Sequence, residues 1–191
     1  MYTKKLVEYV VGVTYDSLPG YAIKETKRRI LDFIGLALAG SKTPQGKIAA
    51  KVVKELSGRE ESTVVAFGYK TSCLNASLVN GIMSHSLDFD DINGLVHIGS
   101  SIIPVALALG EKLSVTGKDL ITSVVVGYEV SARVGHAVNP WHRQRGYHPT
   151  GTCNCFGSAA AAGKLLNLDE RRMTYAFGLA GTQASGLTQY H

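Results

Sequence analysis

The sequence predicts an all-α fold: a multi-helix domain with at most a short β-hairpin near residues 63–71. Three observations point there. Apolar residues recur at spacings of three and four along most of the chain, the period of a helix buried on one face. Helix-start signals stand just ahead of those runs, at Thr43-Pro44, Ser72, Thr116 and Asp169. Only one run, 63–67, is β-branched and apolar in the manner of a strand.

Taken in order, Ala22, Ile23, Thr26, Ile30, Ile34 and Ala37 mark a helix that Gly40 stops. Leu31, Phe33, Leu36 and Leu38 make its second half apolar all round, so deep burial is expected there. Thr43 caps the next helix, with Pro44 at its first position, Ile48, Val52 and Leu56 on one face and Gly58 at its end. Residues 63–67 pair with the segment after Gly68. Ser72 opens a helix through Leu78, Ile82 and His85 towards Asp88, and Ser101 caps the following one, with Pro104 in its first turn. Thr116 and Asp119 have the form of a capping box before a long helix through Tyr128 and Arg133. Thr150 or Thr152 opens a Gly/Ala-rich helix ending near Leu166, whose small residues between Gly157 and Gly163 suit close helix contact inside the domain or across a dimer. Asp169 caps the last helix, which runs towards Gln183.

The composition narrows the function. With 191 residues, 45% hydrophobic and 18% charged, the chain is globular. The net charge of +5 is scattered, with no long basic run and no interleaved aromatics. That excludes a nucleic-acid groove and favours an acidic small-molecule substrate. Three cysteines, Cys73, Cys153 and Cys155, fit a reducing compartment, and Cys153-x-Cys155 lacks the spacing of a zinc pair. No secretory signal and no apolar stretch of membrane-spanning length is present, so the expected location is the cytoplasm.

Two segments carry chemistry. The first is His85-Ser-Leu-Asp88-Phe-Asp90-Asp91, with His97 shortly after. His85 and Asp88, three apart, are expected to share a helix face. Asp88, Asp90 and Asp91 repel one another, so at least one needs a partner or a raised pKa. Arg133, in an apolar helix, is expected to pair with one of the three. His85, Asp88, Asp91 and His97 are metal-ligand types, but their spacing matches no regular metal motif, and no metal is expected. The second segment is His148-Pro149-Thr150-Gly151-Thr152, where a histidine abuts a helix N-terminus, a natural seat for a carboxylate. His136 and His142 have no motif around them and read as surface or packing residues.

Together these segments resemble the MmgE/PrpD family. The resemblance rests on five motifs in order: Leu31-Asp-Phe-Ile-Gly35, His85-x-x-Asp88-Phe-Asp90-Asp91, Gly127-Tyr128-Glu129-Val130 with Arg133, His148-Pro-Thr-Gly151-Thr, and Gly181-Thr-Gln-Ala-Ser-Gly186-Leu. It implies a helical domain over 1–191 and a lyase similar to 2-methylcitrate dehydratase. Such a lyase would act on a small di- or tricarboxylate by acid–base proton transfer, as a homodimer, without a metal or organic cofactor. Asp88, His97 and His148 are implied as catalytic residues, and His85, Thr150 and Gly151 as substrate-binding ones. The alternatives are an epimerase or decarboxylase of the same family, or a truncated, non-catalytic remnant that only folds and oligomerises. Two positions depart from the family pattern. The residue after the double aspartate is often a threonine that lines the decarboxylase site, and here it is Ile92, which weighs against cis-aconitate decarboxylase. The loop histidine is commonly followed by proline, and here by Ile98. The family continues into an active-site lysine segment and a lid domain that these 191 residues do not include. A fragment, truncated product or split protein is therefore expected. Which histidine is acid and which base is left open. Elemental analysis of the purified protein is expected to show no stoichiometric metal. Zinc, manganese or iron that survives chelator washing would overturn that expectation.

Overall fold

A computed structural model describes residues 2–189. It is mostly helical, with nine α-helices among the described residues: α1 Tyr2–Gly12, α2 Gly20–Gly40, α3 Pro44–Leu56, α4 Cys73–His85, α5 Gly99–Leu113, α6 Gly117–Val138, α7 Trp141–Gln144, α8 Pro149–Leu165 and α9 Glu170–Gln183. The expected hairpin is antiparallel, β1 Ser62–Val64 on β2 Tyr69–Thr71. A second, two-residue pair, β3 Ile92–Asn93 on β4 Val96–His97, was not announced by any residue pattern. No helix is long and apolar enough to cross a membrane among the described residues.

Most helix starts follow their caps. Thr43 Oγ1 accepts the Gly46 N–H, Ser72 that of Asn75, Asp169 that of Arg172, and Thr116 and Asp119 complete a capping box. Two starts differ from expectation. α5 begins at Gly99, not after Ser101, and α8 begins at Pro149 with His148 as its N-cap. The Thr150 and Thr152 hydroxyls are engaged elsewhere, with the His97 N–H and the His142 ring. α1 and α7 carried no recognised signal.

The buried faces correct the apolar pattern in three places. In α3 the inward residues are Gly46, Ala50 and Val53, while Ile48, Val52 and Leu56 face out. The corner between α2 and α3 is too tight for large side chains: a Cβ on Gly46 would overlap the Gly40 carbonyl. The C-terminal half of α2 buries Phe33, Leu36 and Ala37 but exposes Leu31 and Leu38. In α4, Ala76, Val79 and Met83 are buried, while Leu78 and Ile82 are not.

α8 lies at the centre, packed on α6, α5 and α9, with α4 bridging α5, α2 and α3. One core cluster joins α1, α6, α8 and α9 through Val7, Val10, Val126, Val130, Ala160, Met173 and Phe177. Another, Val96, Ile98, Ile102, Cys153 and Ala161, lies directly under β4. All three cysteines are free thiols; Cys153 is buried and Cys155 only partly so.

The small-residue stripe of α8 is used inside the domain. Gly157 faces Gly127 on α6, and a methyl at 157 would overlap Ser131 Oγ and lie 2.6 Å from the Gly127 carbonyl oxygen. Gly157→Ala is therefore expected to lower stability by about 1–3 kcal/mol despite alanine's better helix propensity. Gly35→Ala, in open space on α2, should be neutral or stabilise by up to about 1 kcal/mol. Urea denaturation followed by circular dichroism checks both.

Candidate active site

α4 ends at His85, and the chain turns at once instead of carrying the helix to Asp88. Asp88 sits at φ 50°, in the left-handed region. His85 and Asp88 therefore do not share a helix face. The partner of His85 is Asp90, whose Oδ1 lies 2.7 Å from His85 Nδ1. The same oxygen is 3.2 Å from His97 Nδ1, and the two imidazole rings meet edge-on with centroids 5.0 Å apart. Asp88 Oδ1 approaches the other face of this pair, 3.7 Å from His97 Nε2. Exposure separates the two aspartates: the Asp90 side chain is 3% exposed and that of Asp88 81%.

These distances determine proton positions. An ionised carboxylate only accepts hydrogen bonds, so Asp90 selects the Nδ1–H form of His85 and leaves its Nε2 as the basic nitrogen. The Asp90 hydrogen bond raises the His85 pKa above the free value of 6.5, against the effect of burial and with help from the charges of Asp90 and Asp88. Burial pushes the Asp90 carboxyl up. The His85 hydrogen bond and charge, the Ser100 hydroxyl and the His97 charge together outweigh burial and hold it below the usual 3.8. Asp90 Oδ2 and His97 Nδ1 are buried without an aligned hydrogen-bond partner among the described residues.

β3 and β4 carry His97 in a two-residue hairpin whose turn, Gly94-Leu95, has positive φ at both positions (59° and 71°). That is the geometry of a type I′ turn, free for glycine and strained for leucine. α6 and the residue after it hold the turn. His136 Nε2 is 2.9 Å from Asn93 Oδ1, and the Asn139 amide donates to the Gly94 carbonyl at 3.0 Å. α8 holds the other end: Thr150 Oγ1 accepts the His97 N–H at 3.1 Å, and Asn154 Nδ2 donates to the His97 carbonyl at 2.6 Å. His97 is thereby docked on the N-terminal turn of α8.

His148 caps that turn. Its N–H donates to the Gly186 carbonyl at 2.9 Å, so the 181–187 segment packs beside it. Gly151 is required there, because a Cβ would stand 2.6 Å from the Ser185 carbonyl oxygen. The fold thus brings His85, Asp88 and His97 into one cluster with Asp90, and sets Thr150, Gly151 and His148 on the adjoining helix start. His142 supports the start from behind, with Nε2 2.7 Å from Thr152 Oγ1 and its ring stacked on Tyr147.

Arg133 does not reach the aspartates. It pairs with Glu129 one turn back on α6. The cation facing the acidic run is Arg29 of α2, 3.3 Å from Asp91 Oδ2. The 3.6-residue spacing of α2 placed Arg29 only on its own helix, so nothing in the sequence tied it to Asp91. Asn154 likewise stood inside a helix read as packing alone.

One potential ligand atom from each of His85, Asp88, Asp90 and His97 lies within 4.8 Å of the others. This is a different set from the one the sequence suggested, with Asp90 in place of Asp91. The 2.7 Å between His85 Nδ1 and Asp90 Oδ1 is a hydrogen-bond distance, shorter than the roughly 3.3 Å between two ligands of tetrahedral zinc. As placed, these side chains bind each other.

With this geometry in view, residues 4–191 match the MmgE/PrpD N-terminal domain. The chain belongs to the MmgE/PrpD family. It is 32% identical over 95% of its length to cis-aconitate decarboxylase of Homo sapiens, and 29% identical over 97% to the cis-aconitate decarboxylase-like protein oryM of Aspergillus oryzae. It is 28% identical over 97% to cis-aconitate decarboxylase of Aspergillus terreus. The chain spans 39–40% of the length of these relatives.

The His85–Asp90 contact makes stability pH-dependent. Because the folded His85 pKa is raised, its contribution is full below 6.5 and is lost as pH rises through the folded value. Because the folded Asp90 pKa is lowered, its contribution is present above 3.8 and is lost as pH falls through the folded value. In urea titrations, Asp90→Asn is expected to cost about 1 kcal/mol at pH 6, after allowing for the half-exposed His85 ring. The difference from wild type should shrink as pH is raised towards 9. A pH-independent difference would contradict the assignment.

Proposed function

We propose that this MmgE/PrpD chain supplies the proton-handling wall of a cofactor-independent lyase acting on a small tricarboxylate. The observation that carries the reading is the buried Asp90 carboxylate shared by His85 and His97, beside the N-terminus of α8. Removing or adding a proton next to a carboxylate builds negative charge on that carboxylate, and the charge needs cationic or N–H donors already in place. Asp90 holds Nδ1 of His85, so Nε2 of His85 is the atom that takes or gives the proton there, with the His97 ring beside it as the second proton carrier. Asp88, exposed beside His97 Nε2, is placed to pass that proton on or to orient the ring. The first-turn N–H groups of α8 and the His148 ring form the seat for a substrate carboxylate, and the +5 net charge attracts it. The reading also places the protein in the cytoplasm as a homodimer. α2 and α4, packed on each other, leave Leu31, Leu38, Leu74 and Leu78 exposed as apolar surface for a second copy.

The names of the relatives support cis-aconitate as the substrate. One position favours a second reading, a methyl-bearing tricarboxylate such as 2-methylcitrate. Ile92 is the direct register partner of His97 across the hairpin and is exposed. Opposed residues of an antiparallel pair present their side chains on one face, so an apolar side chain stands next to the proton carrier. Calorimetric titration compares the two. Citrate is expected to bind weakly and salt-sensitively, and more weakly still in His148→Ala. On the second reading, 2-methylcitrate binds roughly fourfold more tightly than citrate, the worth of one buried methyl, and Ile92→Thr abolishes the difference. Equal affinities in wild type leave cis-aconitate as the better substrate. Citrate binding untouched by His148→Ala would overturn the placement of the site.

A further inference from the structure

Asp91 stands next to Asp90 yet turns the opposite way, into a contact the proposed chemistry does not use. Its Oδ1 accepts the Gly99 N–H at 3.0 Å and the Tyr128 hydroxyl at 3.3 Å, and its Oδ2 pairs with Arg29 at 3.3 Å. Arg29 is itself held by Glu25, one turn back on α2, at 2.7 Å. The side chain of Asp91 is 10% exposed. Its burial pushes the carboxyl up, and Arg29, the Gly99 N–H and the Tyr128 hydroxyl act against that. Burial also pushes the Tyr128 phenol far above its ordinary value, so it stays a donor.

The position of this group matters more than its energy. Ile92 pairs with His97, so Asp91 lies just beyond the open end of the hairpin, opposite the Ile98-Gly99 start of α5. The N-cap of α5, Ile98, offers no side chain to the helix. Asp91 supplies the missing acceptor from across the hairpin, where the helix dipole favours a negative charge. Gly99 leaves room for it: a Cβ there would overlap Asp91 Oδ1 and lie 2.7 Å from the Tyr128 oxygen. One carboxylate thus ties the base of the hairpin to α2, α5 and α6 together. An ion pair with one buried carboxylate and a partly exposed guanidinium adds little net stability, whereas it is well suited to imposing one register.

We propose that Arg29 and Tyr128 are positioning residues that act through Asp91 to set the orientation of the His97 imidazole. The groups facing His97 are Asp88 and Asp90 from its own loop, His85 from α4, and the neutral Thr150 and Asn154 from α8. With Asp90 one residue from Asp91, a clamp that loosens Asp91 moves the carboxylate on which His97 rests. The inference depends on the reading of His97 as a proton carrier.

Nitrogen-15 spectra of the His97 ring in the 191-residue chain, with no tricarboxylate present, test the clamp separately from that reading. Arg29→Gln and Tyr128→Phe are expected to keep the helical circular dichroism of wild type while moving the His97 ring resonances to the averaged pattern of a ring exchanging between tautomers. Val7→Ala, in the distant α1 core, lowers stability elsewhere and should leave those resonances in place. If Arg29→Gln does not fold, Tyr128→Phe decides alone. His97 resonances that superpose on wild type in the folded variants would overturn the proposal, as would an equal change in Val7→Ala. A parallel citrate titration reports on the site itself: loss of the ring signature with no citrate binding in any form would sustain the clamp and sink the tricarboxylate reading.

Discussion

Two adjacent carboxylates, Asp90 and Asp91, lie largely buried in a loop, and much of the candidate site follows from that constraint. A buried carboxylate without partners is too costly to keep ionised. The two side chains turn to opposite sides of the loop and are satisfied from different directions. Asp90 reaches the imidazoles of His85 and His97, and Asp91 reaches Arg29, Tyr128 and the start of α5. The residues between α4 and α5 hold little regular structure beyond a two-residue strand pair. Side chains from α2, α4, α6 and α8 determine their shape.

Those anchors need a rigid frame, and close helix packing provides it. α6 and α8 approach through Gly127 and Gly157, which brings Asn154 and Thr150 within reach of the His97 backbone. The same frame lets the Ser185-Gly186 segment rest on Gly151 and the His148 backbone. Strain collects where the loop must turn, at the non-glycine residues Asp88 and Leu95, both with positive φ. Such strain persists only where surrounding contacts over-determine the backbone, and here His136 and Asn139 hold the turn.

Electrostatics then divides the labour along the acidic run. Asp88 is solvated, Asp90 is held ionised by the histidines, and Asp91 pairs with Arg29 while burial keeps its carboxyl above the ordinary value. Three carboxylates in four residues coexist because each has a different environment. The arrangement places the two imidazoles beside a helix start suited to anions.

The helical class, most helix starts, the first hairpin, the family and the two segments that carry chemistry were legible in the amino acids alone. Each is a local property: a period of three to four, a capping side chain next to its own helix, or a short motif. Thr43, Ser72, Thr116 and Asp169 cap the helices they precede because the acceptor and the N–H lie three residues apart. Helix packing sets which face of α3 is buried, where the glycine stripe of α8 packs, that Asp90 rather than Asp88 holds His85, and that Arg29 rather than Arg133 meets the acidic run. Those choices depend on residues far apart in the chain. A side chain's spacing along its own helix says which neighbours it has there, and nothing about which distant carboxylate the packing of helices will bring to it.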